Sequence, residues 1–282
     1  MLQHLSLSGL CAIGALLAIP SPAVCRQQQT ENSAPSVVSL PLSVEQQKLL
    51  EQIGRYAEDY VSNLPNFICQ QVTHQFEAGR KPEHWRKLDT LGAKLVFADG
   101  REERTLETIN DKPPSAGRIP RQPLQTEGEF GILLGNVFGV KTNATFMWNG
   151  WQTLRGKRVA VFDYLVDNQH STLRLGLSDF VRAVVPYRGS IYADPDTGAV
   201  WRITSVPFDI PSEIQTRSIA TVIDYDSVDI GGQMHLLPVE ASVTLDTGSH
   251  NVRNRIEFRE YRKFEAESKI TFAPSGSGAV KQ

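Results

Sequence analysis

Charge of one sign, clustered histidine and cysteine are what this sequence has least of. Lysine and arginine number 29 against 31 acidic residues, and a net charge of -2 gives no field that would concentrate nucleic acid on the surface. Three cysteines in 282 residues are too few for a disulfide scaffold. The six histidines, His4, His74, His84, His170, His235 and His250, are scattered, and no two stand four apart as a helical zinc pair requires. No G-x-S-x-G elbow, P-loop or Rossmann glycine signature occurs, so neither a catalytic serine turn nor a phosphate cradle is written in the chain. A carboxylate pair for glycoside chemistry depends on a separation that sequence does not measure. No catalytic residue, metal ligand or cofactor is therefore assigned, and the expectation is a protein that is not an enzyme.

What the chain does have begins at its amino end. Residues 1–25 contain no Asp, Glu, Lys or Arg and carry the apolar run Leu5 to Ile19, LSLSGLCAIGALLAI. That is signal-peptide length, and the small residues Ser21 and Ala23 suit cleavage just before Val24. Only the amino terminus and His4 supply positive charge ahead of the run. Pro20 and Pro22 interrupt it before the roughly 20 residues that an uncleaved anchor needs. A lipoprotein modified at Cys25 fits poorly, because a lipobox wants a small residue where Val24 stands. The expected organisation is a signal peptide over 1–23, a flexible linker over 24–42, one folded domain over 43–272 and a disordered tail over 273–282. The mature protein would be periplasmic or secreted, with no stable membrane span. Cys25 and Cys69 would remain after cleavage, as a pair or as two separate thiols.

Ser43 with Gln46 three residues on makes a capping box. Leu49, Ile53, Tyr56, Tyr60 and Leu64 then recur at helical spacing, and Pro65 stops the run, which predicts a helix over 43–64. From Phe67 the period changes to two. Strands are expected over Phe67 to Phe76 and Trp85 to Phe97, with the turn Asp99-Gly100 leading to a return strand Arg101 to Ile109. The loop Asp111 to Pro123 holds four prolines and reads as a connection or a lid over a cavity. A second, short helix is expected from the capping box Thr126 and Glu129 and the apolar face Phe130, Leu133, Leu134, Val137 and Phe138.

The second half reads as hairpins: Phe146 to Trp148 turning at Asn149-Gly150, the doubly apolar Val159 to Val166, and alternating Leu173, Leu175 and Leu177. Ile191 and Ala193 meet Val200 to Thr204 across DPDTG, Ile223 to Ile230 meets Met234 to Leu245 across Gly231-Gly232, and a last strand runs from Arg255 to Phe272. The DPDTG segment fails as a calcium loop, because Gly198 and Ser205 occupy positions that need ligands. Asp224, Asp226 and Asp229 read as a solvated strand face. The run Arg253, Arg255, Arg259, Arg262 and Lys263, interspersed with Glu257, Glu260 and Glu265, reads as a cross-strand ion-paired face. The sum is an α+β domain: a strongly curled antiparallel sheet of roughly eight to ten strands, an incomplete β-barrel, with a long N-terminal helix and a second short helix packed on it.

The hairpins GSIYADPDTGAVWRIT, TVIDYDSVDI and GGQMHLLPVEASVTL resemble the C-terminal hairpins of LolA/LolB-like periplasmic proteins, in which helices cover an incomplete β-barrel. The resemblance implies a cavity for acyl chains, although no motif places the lid arginine of such carriers. Alternate residues of the concave face, Trp201 and Ile203 on one strand and Val239, Ala241 and Val243 on another, are the expected lining. The expected ligand is lipid, acylated or otherwise hydrophobic. The alternative is a cell-envelope scaffold or interaction module whose concavity is filled by its own side chains, with an envelope protein as partner.

Overall fold

The computed structural model describes residues 41–60, 62–115, 130–176 and 182–264, all within one compact unit, Ser39–Gln282. The signal peptide, nearly all of the linker, Cys25, the lid segment from 116, the capping box Thr126 and Glu129, Leu177, the strand end 265–272 and the tail lie outside the described residues.

Helix α1 is Val44–Tyr60. Its start is the expected box: the Ser43 amide donates to Gln46 Oε1 at 2.8 Å, and the Gln46 amide donates to Ser43 Oγ at 3.3 Å. It ends four residues earlier than the apolar spacing predicts. Ser62 and Asn63 form a turn ahead of Pro65, which disfavours helical backbone at the residue before it. Ile53, Ala57 and Tyr60 are its buried face.

Among the described residues, twelve strands follow or flank the short helix α2, Ile132–Phe138. They are β1 Phe67–Gly79, β2 Arg86–Ala98, β3 Arg101–Ile109, β4 Thr145–Leu154, β5 Lys157–Val166, β6 Arg174–Gly176, β7 Arg182–Val184, β8 Tyr187–Ala193, β9 Val200–Pro207, β10 Ser218–Ile230, β11 Gln233–Asp246 and β12 His250–Lys263. Ten form one antiparallel sheet in the order β3-β2-β1-β12-β11-β10-β9-β8-β5-β4, and β6 pairs with β7 separately. Most neighbours in the sheet are neighbours in the chain, because short turns such as Asp99-Gly100, with φ of 52° and 73°, fold each strand back on the last. There are two exceptions: β5 pairs with β8 across the separate β6–β7 pair, and at the centre β1 pairs with β12, bringing the first and last of these strands together.

Both helices pack on one face. Ile53, Ala57 and Tyr60 of α1 and Leu134 and Val137 of α2 join Phe67, Leu95, Phe162, Ile191, Ile203, Ile223, Ala241 and Ile256 from the sheet in the main core. On β5 the residues alternate strictly between two apolar clusters, with Ala160, Phe162 and Tyr164 beneath the helices and Val159 and Val161 on the opposite face. The doubly apolar pattern is thus a strand buried on both sides.

One expected turn is corrected. Asn149-Gly150 does not close a hairpin, because β4 runs unbroken from Thr145 to Leu154. Trp148 faces Phe162 and Gly150 faces Val161, so Asn149 is the extra residue of a β-bulge, with Gly150 at φ 121°. The true turn is Arg155-Gly156.

Ile53 is fully buried against the sheet. Ile53→Asp should destabilise the protein by several kcal/mol, the cost of an unpaired buried carboxylate; thermal melting checks this, and an unchanged midpoint would make α1 peripheral.

Candidate functional site

The five residues expected to line a cavity do not share one surface. Ile203 and Ala241 lie in the main core under the helices, and Val243 is buried one step further along the same strand. Trp201 belongs to the other face, where it packs with Leu154, Val159 and Val161. The cause is a bulge: Ala193 faces Val200 and Tyr192 faces Arg202, so Trp201 has no cross-strand partner and the alternation reverses. The Lys157 ammonium sits 3.4 Å from the centre of its ring. Val239 is likewise the extra residue of a bulge, between Pro238 opposite Tyr225 and Glu240 opposite Asp224.

An open groove of about 490 Å³ lies between the C-terminal half of α1 and the β10–β11 hairpin. That volume is within the range of small-molecule sites. Tyr56, Tyr60, Leu64 and Leu236 line it and also pack on the main core, so the groove is continuous with the apolar face beneath the helix. Gln52, Arg55, Asp59, Asn63, Thr197 and His235 bring polar groups, and Met234 is 64% exposed beside them.

Two contacts hold the groove's walls. The Tyr60 hydroxyl donates to the Leu236 carbonyl at 3.0 Å, joining helix to hairpin. Gln52 Nε2 donates to the Asp196 carbonyl at 2.6 Å, joining the helix to the β8–β9 turn. That turn is internally fixed, since Asp194 Oδ1 accepts from the amides of Asp196 and Thr197 and from the Thr197 hydroxyl. The failed calcium motif is therefore an Asx turn that docks α1. Among the described residues no group of three or more His, Cys, Asp or Glu side chains is placed to hold a metal ion, and no helix is long and apolar enough to cross a membrane.

No protein-family model and no curated protein matches the chain. Solved structures do. A LolA superfamily protein from Nitrosomonas europaea is 11% identical, with 78% of this chain and 94% of that chain covered at a TM-score of 0.35. A DUF1329 family protein from Desulfovibrio piger is 10% identical, with 79% and 94% covered at a TM-score of 0.40. The superfamily is the one the hairpins resemble. At these TM-scores neither likeness bears on function.

Beneath the groove lies a cluster of buried acidic protons. The Tyr60 ring meets Tyr225 edge-on at 5.9 Å, and the Tyr261 hydroxyl donates to the Pro238 carbonyl. Burial pushes the Cys69 thiol up to about 12, and it pushes the Tyr60 and Tyr261 hydroxyls well above their ordinary range. Cys69 is a free thiol. Sequence reasoning named Tyr56 and Tyr60 only as helix stripe and passed over Met234 to Leu236 as strand. The available signal was the hydroxyl itself, which needs a partner when a tyrosine is buried on a helix face.

These groups stay protonated in the folded state and ionise more readily when unfolded. Their contribution is full below about 9 and is lost as pH rises from about 9 toward about 12. Urea midpoints should fall across that window, less steeply in Cys69→Ala; a flat profile would show that the cluster is open to solvent.

Proposed function

We propose that the protein is a non-enzymatic binder of a lipid, acylated or otherwise hydrophobic ligand, held between the helices and the sheet in the periplasm or outside the cell. The observation that carries this is the groove: its apolar wall continues into the main core, while its rim offers hydrogen-bonding groups. An amphiphile matches such a surface, with the chain against Tyr56, Tyr60, Leu64 and Leu236 and the polar head at Gln52, Asn63 and His235.

In this reading the sheet curls, as a ten-stranded antiparallel sheet tends to, and the contact of Arg155 with the Tyr225 carbonyl supports the curl. Arg155 lies in the β4–β5 turn, and β8 and β9 stand between that hairpin and β10 in the sheet. Displacement of α1 would extend the groove over Ile203 and Ala241, with Val243 beyond them.

A second reading is favoured by the packed side chains under α1, where Ile53, Phe162, Ile191 and Ile203 have no exposed surface. A face filled in this way suits a cell-envelope scaffold or interaction module that engages an envelope protein.

Native mass spectrometry of protein purified from an envelope fraction separates the two. The binding reading expects apolar mass to co-purify and Leu236→Glu, a carboxylate in the groove wall, to abolish it without loss of fold. Bare protein, together with unchanged Nile red fluorescence on addition of wild type, would leave the scaffold.

A further inference from the structure

The two edges of the ten-stranded sheet differ in a way that points to a partner. An edge strand exposes unpaired backbone N–H and C=O groups, and proteins commonly blunt such edges with charge. Edge β3 is blunted: Arg101, Glu102, Glu103, Arg104 and Glu107 are five of its nine residues. Edge β4, TFMWNGWQTL, has ten residues and no charge at all. Its only strand partner among the described residues is β5.

The side chains of β4 are also self-complementary. Trp148 faces Phe162 and Trp151 faces Ala160, and both partners belong to the core beneath the helices, so the bulge at Asn149 puts the two tryptophans on one face. Their rings meet edge-on at 5.2 Å, and Trp151 is 47% exposed. A two-fold axis between Asn149 and Gly150 would bring β4 antiparallel to its own copy. In that register Trp148 stands opposite Trp151 of the copy, Phe146 opposite Thr153, and Met147 opposite Gln152. Directly opposed residues must share a face in an antiparallel pair, and all three pairings do. Without the bulge the tryptophan pairing would put opposed residues on opposite faces.

We infer that β4 is a homodimer edge, pairing with β4 of a second copy to join two ten-stranded sheets through a core of four tryptophans. Isologous two-fold contacts of this kind are the commonest route to a dimer. At such an axis a strand meets itself, so a charge on it would be brought against its own copy, and β4 carries none.

Sedimentation velocity of the full chain over a concentration series tests this. Wild type should sediment as a dimer, and Gln152→Lys with Thr153→Lys, both exposed positions, should weaken self-association by at least about tenfold, because each lysine is set against Met147 or Phe146 of the copy and charge on an edge strand opposes pairing. Thr105→Lys on β3 should leave the dimer intact. Cysteines at Met147 and Gln152 should cross-link two copies under oxidation. A monomer at every concentration, or a dimer that survives the β4 lysines and yields to the β3 lysine, would overturn the proposal. An unchanged melting profile in the lysine variants separates lost pairing from lost fold.

Discussion

One constraint organises this molecule: a wide sheet with an apolar face has to be covered, and among the described residues two helices do the covering. Ten strands at about 4.8 Å spacing are about 43 Å across. The 17 residues of α1 and 7 of α2 extend to about 25 Å and about 10 Å. Among the described residues, cover is therefore dense where the helices lie and thin where they stop. Both features with functional content occur at the margins of the cover: the groove where α1 ends beside the β10–β11 hairpin, and the aromatic edge of β4.

The cover is fastened polar group by polar group. Tyr60 reaches the Leu236 carbonyl, Gln52 reaches the Asp196 carbonyl, and the Tyr187 hydroxyl donates to the Asn136 carbonyl of α2 at 2.5 Å. Such bonds contribute about 1 kcal/mol each, small beside the burial of Ile53, Ala57 and Tyr60. A helix held mainly by one apolar stripe and a few end contacts is the element best placed to move.

Much of the architecture was legible in the residues because the local signals are physical necessities. The Ser43 and Gln46 box satisfies helix amides, Asp99-Gly100 supplies two positive φ angles, and β3 spans Arg101–Ile109 as its alternation predicts. The lining residues were less legible, and bulges are the reason. One extra residue reverses the side-chain alternation, and it sends Trp201 away from Ile203. Asn149-Gly150 misled in the same way, since the pair that closes a hairpin also makes a bulge. The groove escaped sequence reading because its walls come from α1, the β8–β9 turn and β11, distant in the chain.

The central claim, that an apolar ligand enters where α1 meets the β8–β9 and β10–β11 turns, is tested most directly by stapling that junction. Gln52→Cys with Thr197→Cys, in a chain whose Cys11 and Cys25 are replaced by serine, places a disulfide between two groove-lining positions. The account predicts that Nile red fluorescence is lost in the oxidised protein and restored by reduction. Equal fluorescence in both states would contradict it.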